Sequence, residues 1–325
     1  MRQKVVVFSQ IDSIILQKLK DRYEVVCIDP KAGDVNQQIL KEVTDADGMI
    51  GAGRLLNESN LQSAKQLKVI STVSVGYDNY DLNYLNQQKI WLANTPHVLT
   101  ETTADLAFTL LMSAARQVPH LDSWTKQGLW KRTVGSAQFG LDIYGKNLGI
   151  IGLGNIGLAI AKRGFHGFNM NIQYHNRSPK PELAGLVNAE YLALDELLEV
   201  SDFIVVAVDL NHESTALIGY DQFNKMKPSA VFVNISRGSV VDENALIEAL
   251  KQNKIFAAGL DVYQKEPLQA SALFELDNVV TLPHVGSATA ETRFKMAELA
   301  YLNLVQALEG ETPKCLVNER FSQFL

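Results

Sequence analysis

Short apolar runs alternate with stretches of helical periodicity from the first residues onward. Lys4 to Phe8, Glu24 to Cys27 and Gly48 to Ile50 read as strands, with helices near Ser13 to Lys20 and Val35 to Lys41 between them. This alternation predicts a parallel sheet flanked by helices. A further strand, Val69 to Thr72, runs into the turn-forming segment Ser74 to Asp81, and loops at the carboxyl end of a parallel strand tend to hold ligands.

Around Thr100 the pattern changes. Thr100, Glu101, Thr102 and Thr103 precede the apolar stretch Ala104 to Ala115, which reads as a capped and largely buried helix at a crossing between domains. Trp124 to Gly145 has little strand character and carries exposed-looking aromatics, Trp124, Trp130, Phe139 and Tyr144. They form either a local cluster or a subunit contact. A second α/β series then opens with strand Leu148 to Ile151, helix Ile156 to Gly164 and strand Ile172 to Tyr174. It continues through helix Leu194 to Glu199, strands Phe203 to Ala207 and Val231 to Asn234, helix Glu243 to Gln252, and strands Ala257 to Leu260 and Val279 to Leu282. Six strands of this kind predict a doubly wound domain. The last helix, Ala290 to Leu308, has no following strand and is expected to return to the first domain, making it discontinuous. The expected architecture is therefore α/β, with two Rossmann-like, doubly wound parallel-sheet domains. Residues 1–101 and 288–325 form a flavodoxin-like one, into which residues 102–287 are inserted.

With 325 residues, the chain exceeds the roughly 250 to 300 at which single cores stop growing, in keeping with two domains. The hydrophobic share of 46% and charged share of 20% are those of an ordinary globular protein rather than a disordered one. A net charge of -6 without any Lys/Arg block offers no footprint for nucleic acid or an anionic membrane, so an anionic ligand must be met by a few placed residues. Only Cys27 and Cys315 are present, without metal-ligand spacing; they read as two buried free thiols, with no disulfide and no metal site expected. The opening MRQKVVVFSQ is too brief an apolar run for a signal peptide, and no apolar stretch approaches a membrane span, so a cytoplasmic protein is expected.

The second series begins with Gly-Ile-Ile-Gly-Leu-Gly-Asn-Ile-Gly, whose GxGxxG glycines are Gly152, Gly154 and Gly157. The pattern alone is weak, but here it leaves an apolar strand and enters a helix, as dinucleotide binding requires. Gly152 permits the tight turn, Gly154 lets backbone approach a pyrophosphate, Gly157 lets helix pack on strand, and the helix N-terminus supplies N–H groups. Leu153, Asn155 and Ile156 complete the loop as candidate cofactor contacts. About 20 residues on, an NAD-binding unit presents Asp or Glu to the ribose hydroxyls, whereas Arg suits a 2'-phosphate. This chain has Asn176, Arg177 and Ser178 there, with Lys180 close by. No carboxylate stands at that point, so NADP(H) is the expected cofactor and NAD(H) the alternative. A solvated basic turn is the plainer reading of the same residues.

Three stretches follow strands of this domain: Asn234-Ile-Ser-Arg237-Gly238, Asp261 through Glu266-Pro267, and Pro283-His284-Val-Gly-Ser287. Singly, each has a mundane reading: Arg237 in a surface pair, Glu266 in a solvated turn, His284 as a satisfied core histidine. Together, beside a dinucleotide fingerprint, Arg237, Glu266 and His284 suit ketone reduction. With Ser74-Val-Gly-Tyr-Asp-Asn79, the three glycines and Ala258-Gly-Leu-Asp-Val262, they make the chain resemble the D-isomer-specific 2-hydroxyacid dehydrogenase family along essentially its whole length. The pattern is nearest the bacterial glyoxylate/hydroxypyruvate reductase branch, whose members also act as 2-ketogluconate reductases. The resemblance implies catalytic roles for Arg237, Glu266 and His284, a substrate-carboxylate loop at Val75 and Gly76, and nicotinamide contacts by Thr103 and Asp261. It further implies cofactor contacts by Ile235, His284 and Gly286, reduction of a small 2-oxo acid to the D product, and a homodimer through the cofactor domains.

Chemically, negative charge grows on the keto oxygen as hydride arrives, so an imidazolium at His284 can donate a proton in step, and a neighbouring carboxylate favours that charged form. Arg237 offers a planar fork to carboxylate and carbonyl. A closing cleft between domains would exclude water. Phosphoglycerate, D-lactate and formate dehydrogenases share the scaffold, and a dinucleotide-sensing regulator is the non-enzymatic alternative. Glu266 and His284 argue against the formate branch, which lacks that pair.

Overall fold

A computed structural model describes residues 2–318. The chain divides into two compact units, one running through Leu99 and resuming at Ala288, the other Thr100–Ser287. The first boundary falls ahead of the expected Glu101, because helix Thr100–Ala115 already contains the threonines read as its preceding cap.

In the first unit, β1 (Lys4–Val7), β2 (Glu24–Cys27), β3 (Gly48–Gly51), β4 (Val69–Thr72) and β5 (Trp91–Ala93) form a parallel sheet in the order β2-β1-β3-β4-β5. The inner strands β3 and β4 are wholly buried, as strands covered on both faces are, and β4 buries even its polar Ser71 and Thr72. Edge strand β2 is different. Its ends face solvent, so Cys27 is exposed; Cys315, whose carbonyl accepts from Asn94 N just beyond β5, is partly exposed, and together they correct the expectation of two buried thiols. Helix Ala290–Leu308 belongs to this unit and packs on β3 and β4. Gly48 makes that approach possible, since a Cβ there would come within 2.8 Å of Leu304 Cδ1. Ser71 Oγ donates to the Ala300 carbonyl at 2.7 Å, tying β4 to the same helix.

The second unit holds β6 (Asn147–Ile151), β7 (Asn171–His175), β8 (Glu190–Tyr191), β9 (Phe203–Val206), β10 (Val231–Asn234), β11 (Ala257–Leu260) and β12 (Val279–Thr281). They pair in parallel in the order β12-β11-β10-β9-β6-β7-β8. The seven strands exceed the six expected, because edge strand β8 is two exposed residues long and has no apolar pattern to announce it. Connections run in opposite directions from β6 and β9, and a doubly wound sheet holds its ligand at the carboxyl ends of such a pair. Helix Thr100–Ala115 covers one face through Ala107, Leu110, Leu111 and Ala114; Gly259 of β11 lets it close in, since a Cβ there would lie 2.9 Å from Leu110 Cβ.

After helix Val118–Lys126 the chain runs mostly irregularly to β6. Trp130, Phe139 and Tyr144 are exposed along it, together with Leu129 and Val134, whereas Trp124 is half-buried on the helix and leaves the expected exposed set.

Candidate active site

At the end of β6 the backbone turns sharply. Gly152 takes φ +103, and a Cβ on it would sit 2.6 Å from the Ala207 carbonyl beyond β9, so only glycine fits. Gly157 is tighter still, with 2.1 Å from a would-be Cβ to the Gly152 carbonyl. Gly154, the cap of helix Asn155–Lys162, faces open space and has no side chain to occupy the first-turn N–H groups. A helix N-terminus with unspent donors beside an open approach fits a pyrophosphate. Asn155 is exposed and Ile156 partly so, while Leu153 is buried.

Asn176, just beyond β7, is bonded to this loop twice: its Oδ1 accepts from Leu153 N at 2.6 Å and its Nδ2 donates to Leu153 O at 3.3 Å. An ionised carboxylate could make the first bond but not the second. Arg177 and Ser178 follow on the surface, where Arg177 Nη1 donates to Glu213 Oε2 at 3.0 Å. The residues present therefore fit a dinucleotide, with an amide at the end of β7 where an NAD-type carboxylate would stand and the Arg177–Glu213 ion pair next to it.

The sheet's other half carries Arg237, Glu266 and His284. His284 Nδ1 lies 2.7 Å from Glu266 Oε2, and Tyr263 N donates to the other carboxylate oxygen at 3.0 Å. Burial pushes the Glu266 carboxyl up, but the His284 hydrogen bond, the Tyr263 N–H and the charges of His284 and Arg237 outweigh it. Glu266 is held below the usual carboxylate range. It is thus ionised at neutral pH and commits Nδ1, leaving Nε2 as the ring nitrogen available to a ligand. His284 itself takes φ +52. Asp261, almost fully buried, accepts from Val285 N at 2.7 Å and Gly286 N at 2.8 Å, and Thr103 Oγ1 donates to Gly286 O at 3.0 Å. Burial pushes Asp261 above its ordinary range, against the pull of those two N–H groups and of His284. Both side chains expected at the nicotinamide are thus engaged with the turn that carries His284.

Arg237 is half-buried, and its turn is braced from below by Asn234, whose Nδ2 donates to the Arg237 carbonyl at 3.0 Å and whose Oδ1 accepts from Ser236 N. Ile235 is buried between them. Tyr263 escaped the sequence reading: its OH donates to the Leu282 carbonyl at 2.9 Å, joining the chain ahead of Glu266 to that ahead of His284. Burial and the nearby Asp261 charge push that phenol up to about 12, so it stays a neutral donor. A cavity of about 470 Å³ adjoins Glu266 and His284, walled by Tyr263, Pro267, Leu268 and Phe274. That volume is within the range of small-molecule sites.

Val75 and Gly76 belong to the first unit, on the loop after β4. Asn94 Nδ2 donates to the Val75 carbonyl at 2.8 Å, and Ser74 Oγ donates to the Gly76 carbonyl at 2.7 Å. Asn94 is in turn held by the buried Asn303, whose Nδ2 donates to the Asn94 carbonyl. With both carbonyls taken, the loop has a fixed shape.

Comparison with known proteins gives one matching family model, the NAD-binding domain of the D-isomer-specific 2-hydroxyacid dehydrogenases, over residues 108–286. Among curated relatives, glyoxylate/hydroxypyruvate reductase B of Escherichia fergusonii is 40% identical over 99% of this chain and 100% of its own. The protein of that name from Escherichia coli is 43% identical, covering 98% of both chains. Among solved structures, an NADPH-dependent glyoxylate/hydroxypyruvate reductase from Sinorhizobium meliloti, in complex with NADP and malonate, superimposes with a TM-score of 0.89. It is 32% identical over 99% of this chain and 100% of its own.

The Arg237 turn has no slack. A Cβ on Gly238 would lie 1.8 Å from the Tyr263 carbonyl carbon and 2.3 Å from Gln264 N, both backbone atoms. Gly238→Ala is therefore expected to force the Arg237 and Glu266 segments apart and lower unfolding stability by about 3 kcal/mol, at the upper end for overpacking. Chemical denaturation checks this, and an unchanged midpoint would show that the two turns are not in contact.

Proposed function

Because the chain belongs to the D-isomer-specific 2-hydroxyacid dehydrogenase family, we propose that it reduces small 2-oxo acids to D-2-hydroxy acids. Glyoxylate and hydroxypyruvate are its principal substrates in this reading, with 2-ketogluconate a further one and NADP(H) preferred over NAD(H). The observation that carries it is the 2.7 Å contact between His284 Nδ1 and an ionised Glu266, in the same unit as the glycine loop. The nicotinamide, when bound, supplies the hydride. His284 then gives its Nε2 proton to the oxygen on which charge develops, and Glu266 stabilises the imidazolium that this requires. Arg237 orients carboxylate and carbonyl with its planar fork. The backbone N–H groups of Val75 and Gly76 are assigned to the substrate carboxylate, and Thr103, Asp261, Ile235 and Gly286 to the nicotinamide end of the cofactor.

The NADP preference is supported by Asn176 standing where an NAD-type carboxylate would, with Arg177 and Ser178 exposed next to it. No helix among the described residues is long and apolar enough to cross a membrane. Free thiols at Cys27 and Cys315 suit the reducing cytoplasmic setting assigned here.

A homodimer completes the reading, with the exposed Leu129, Trp130, Phe139 and Tyr144 contributing to its interface. Sedimentation velocity at micromolar concentration should give twice the chain mass, and a monomer there would contradict the assignment. For the reaction, purified protein is mixed with NADPH or NADH and a panel of glyoxylate, hydroxypyruvate, 2-ketogluconate, pyruvate and phosphohydroxypyruvate near pH 7. Fast loss of NADPH absorbance with glyoxylate or hydroxypyruvate is expected. Cofactor binding without turnover of any 2-oxo acid would point to a sensor instead, and equal rates with NADH at micromolar cofactor would remove the NADP preference.

A further inference from the structure

Arg177 stands just beyond β7 and Glu213 in the loop beyond β9, and β6 lies between those two strands. Their 3.0 Å ion pair therefore spans the end of β6, where the glycine loop opens. Both partners are exposed, at 79% and 50%, so the pair is not a packing requirement of the fold. Glu213 is nevertheless well placed. Its N–H donates to Asn211 Oδ1 at 2.9 Å, and Ser214 Oγ donates to the Asp209 carbonyl and accepts from Asn211 N, which pins the loop. His212 Nε2 lies 4.0 Å from the other Glu213 oxygen.

We propose that Glu213 is a cofactor-selectivity residue that competes with the 2'-phosphate of NADP(H) for the Arg177 guanidinium. The inference rests on the assignment of Arg177 to that phosphate. A 2'-phosphate reaching Arg177 must either displace Glu213 or sit beside its negative charge, and a nucleotide with a bare 2'-hydroxyl meets neither obstacle. Glu213 thus moderates the preference that Asn176, Arg177 and Ser178 create, leaving NAD(H) usable. An exposed ion pair sets the scale at roughly a two- to fivefold change in affinity, screened by salt.

The test titrates 2',5'-ADP and 5'-AMP into wild type, Glu213→Gln and Arg177→Ala by calorimetry at low and high salt. Glu213→Gln should bind 2',5'-ADP about two- to fivefold more tightly at low salt, with 5'-AMP unchanged and the gain reduced at high salt. No tightening, weaker binding, or equal tightening of both nucleotides would overturn the proposal. Arg177→Ala tests the underlying assignment separately, because it should weaken 2',5'-ADP and not 5'-AMP. If Arg177→Ala leaves 2',5'-ADP unaffected, the phosphate assignment falls with the proposal; if it weakens binding while Glu213→Gln does nothing, only the competitor role falls.

Discussion

Sealed from solvent, the Asp261 carboxylate accepts the N–H groups of both Val285 and Gly286, and so fixes the turn on which His284 stands. Bonds from neutral donors to a carboxylate are among the stronger hydrogen bonds, and a buried carboxylate left without them would be costly. The turn needs such an anchor, since His284 adopts a left-handed backbone that side chains other than glycine resist. With Thr103 holding the Gly286 carbonyl and Tyr263 holding that of Leu282, the imidazole has a defined place to meet Glu266. The pair assigned to proton transfer is held in place by neighbours that have no part in the proposed reaction.

The same logic governs the cofactor end. Gly152 and Gly157 remove every atom that would keep loop from strand, and Asn176 clasps Leu153 from the neighbouring strand. The exchange of a carboxylate for an amide does two things at once: it removes a charge that would repel a 2'-phosphate, and it adds a donor that the loop's carbonyl accepts. The loop's rigidity comes from that amide, and the proposed NADP preference draws on the same side chain together with Arg177 and Ser178.

Much of this was legible in the chain itself, because βα alternation, the glycine spacing and the Arg, Glu and His segments are local patterns. The strands β4, β10 and β11 lie where their apolar runs placed them. What escaped was either too short to show a period or made by distant residues. β5 is three residues and β8 two, and the exposure of Cys27 follows from β2 being an edge, which only the assembled sheet decides. Tyr263 looked like any aromatic after a strand, yet its hydroxyl meets a carbonyl nineteen positions on. Glu213 gave no signal, because its partner lies thirty-six residues away across another strand. Thr103 and Asp261 were placed at the site by likeness, and only their bonds show that they hold the His284 turn.

The claim on which the account stands is that His284 delivers the proton. Single-turnover oxidation of bound NADPH by hydroxypyruvate in His284→Ala measures this without interference from product release. A rate constant lower than wild type by about 100-fold or more is predicted for loss of the general acid. A rate within a few-fold of wild type would contradict it and move the proton donor elsewhere.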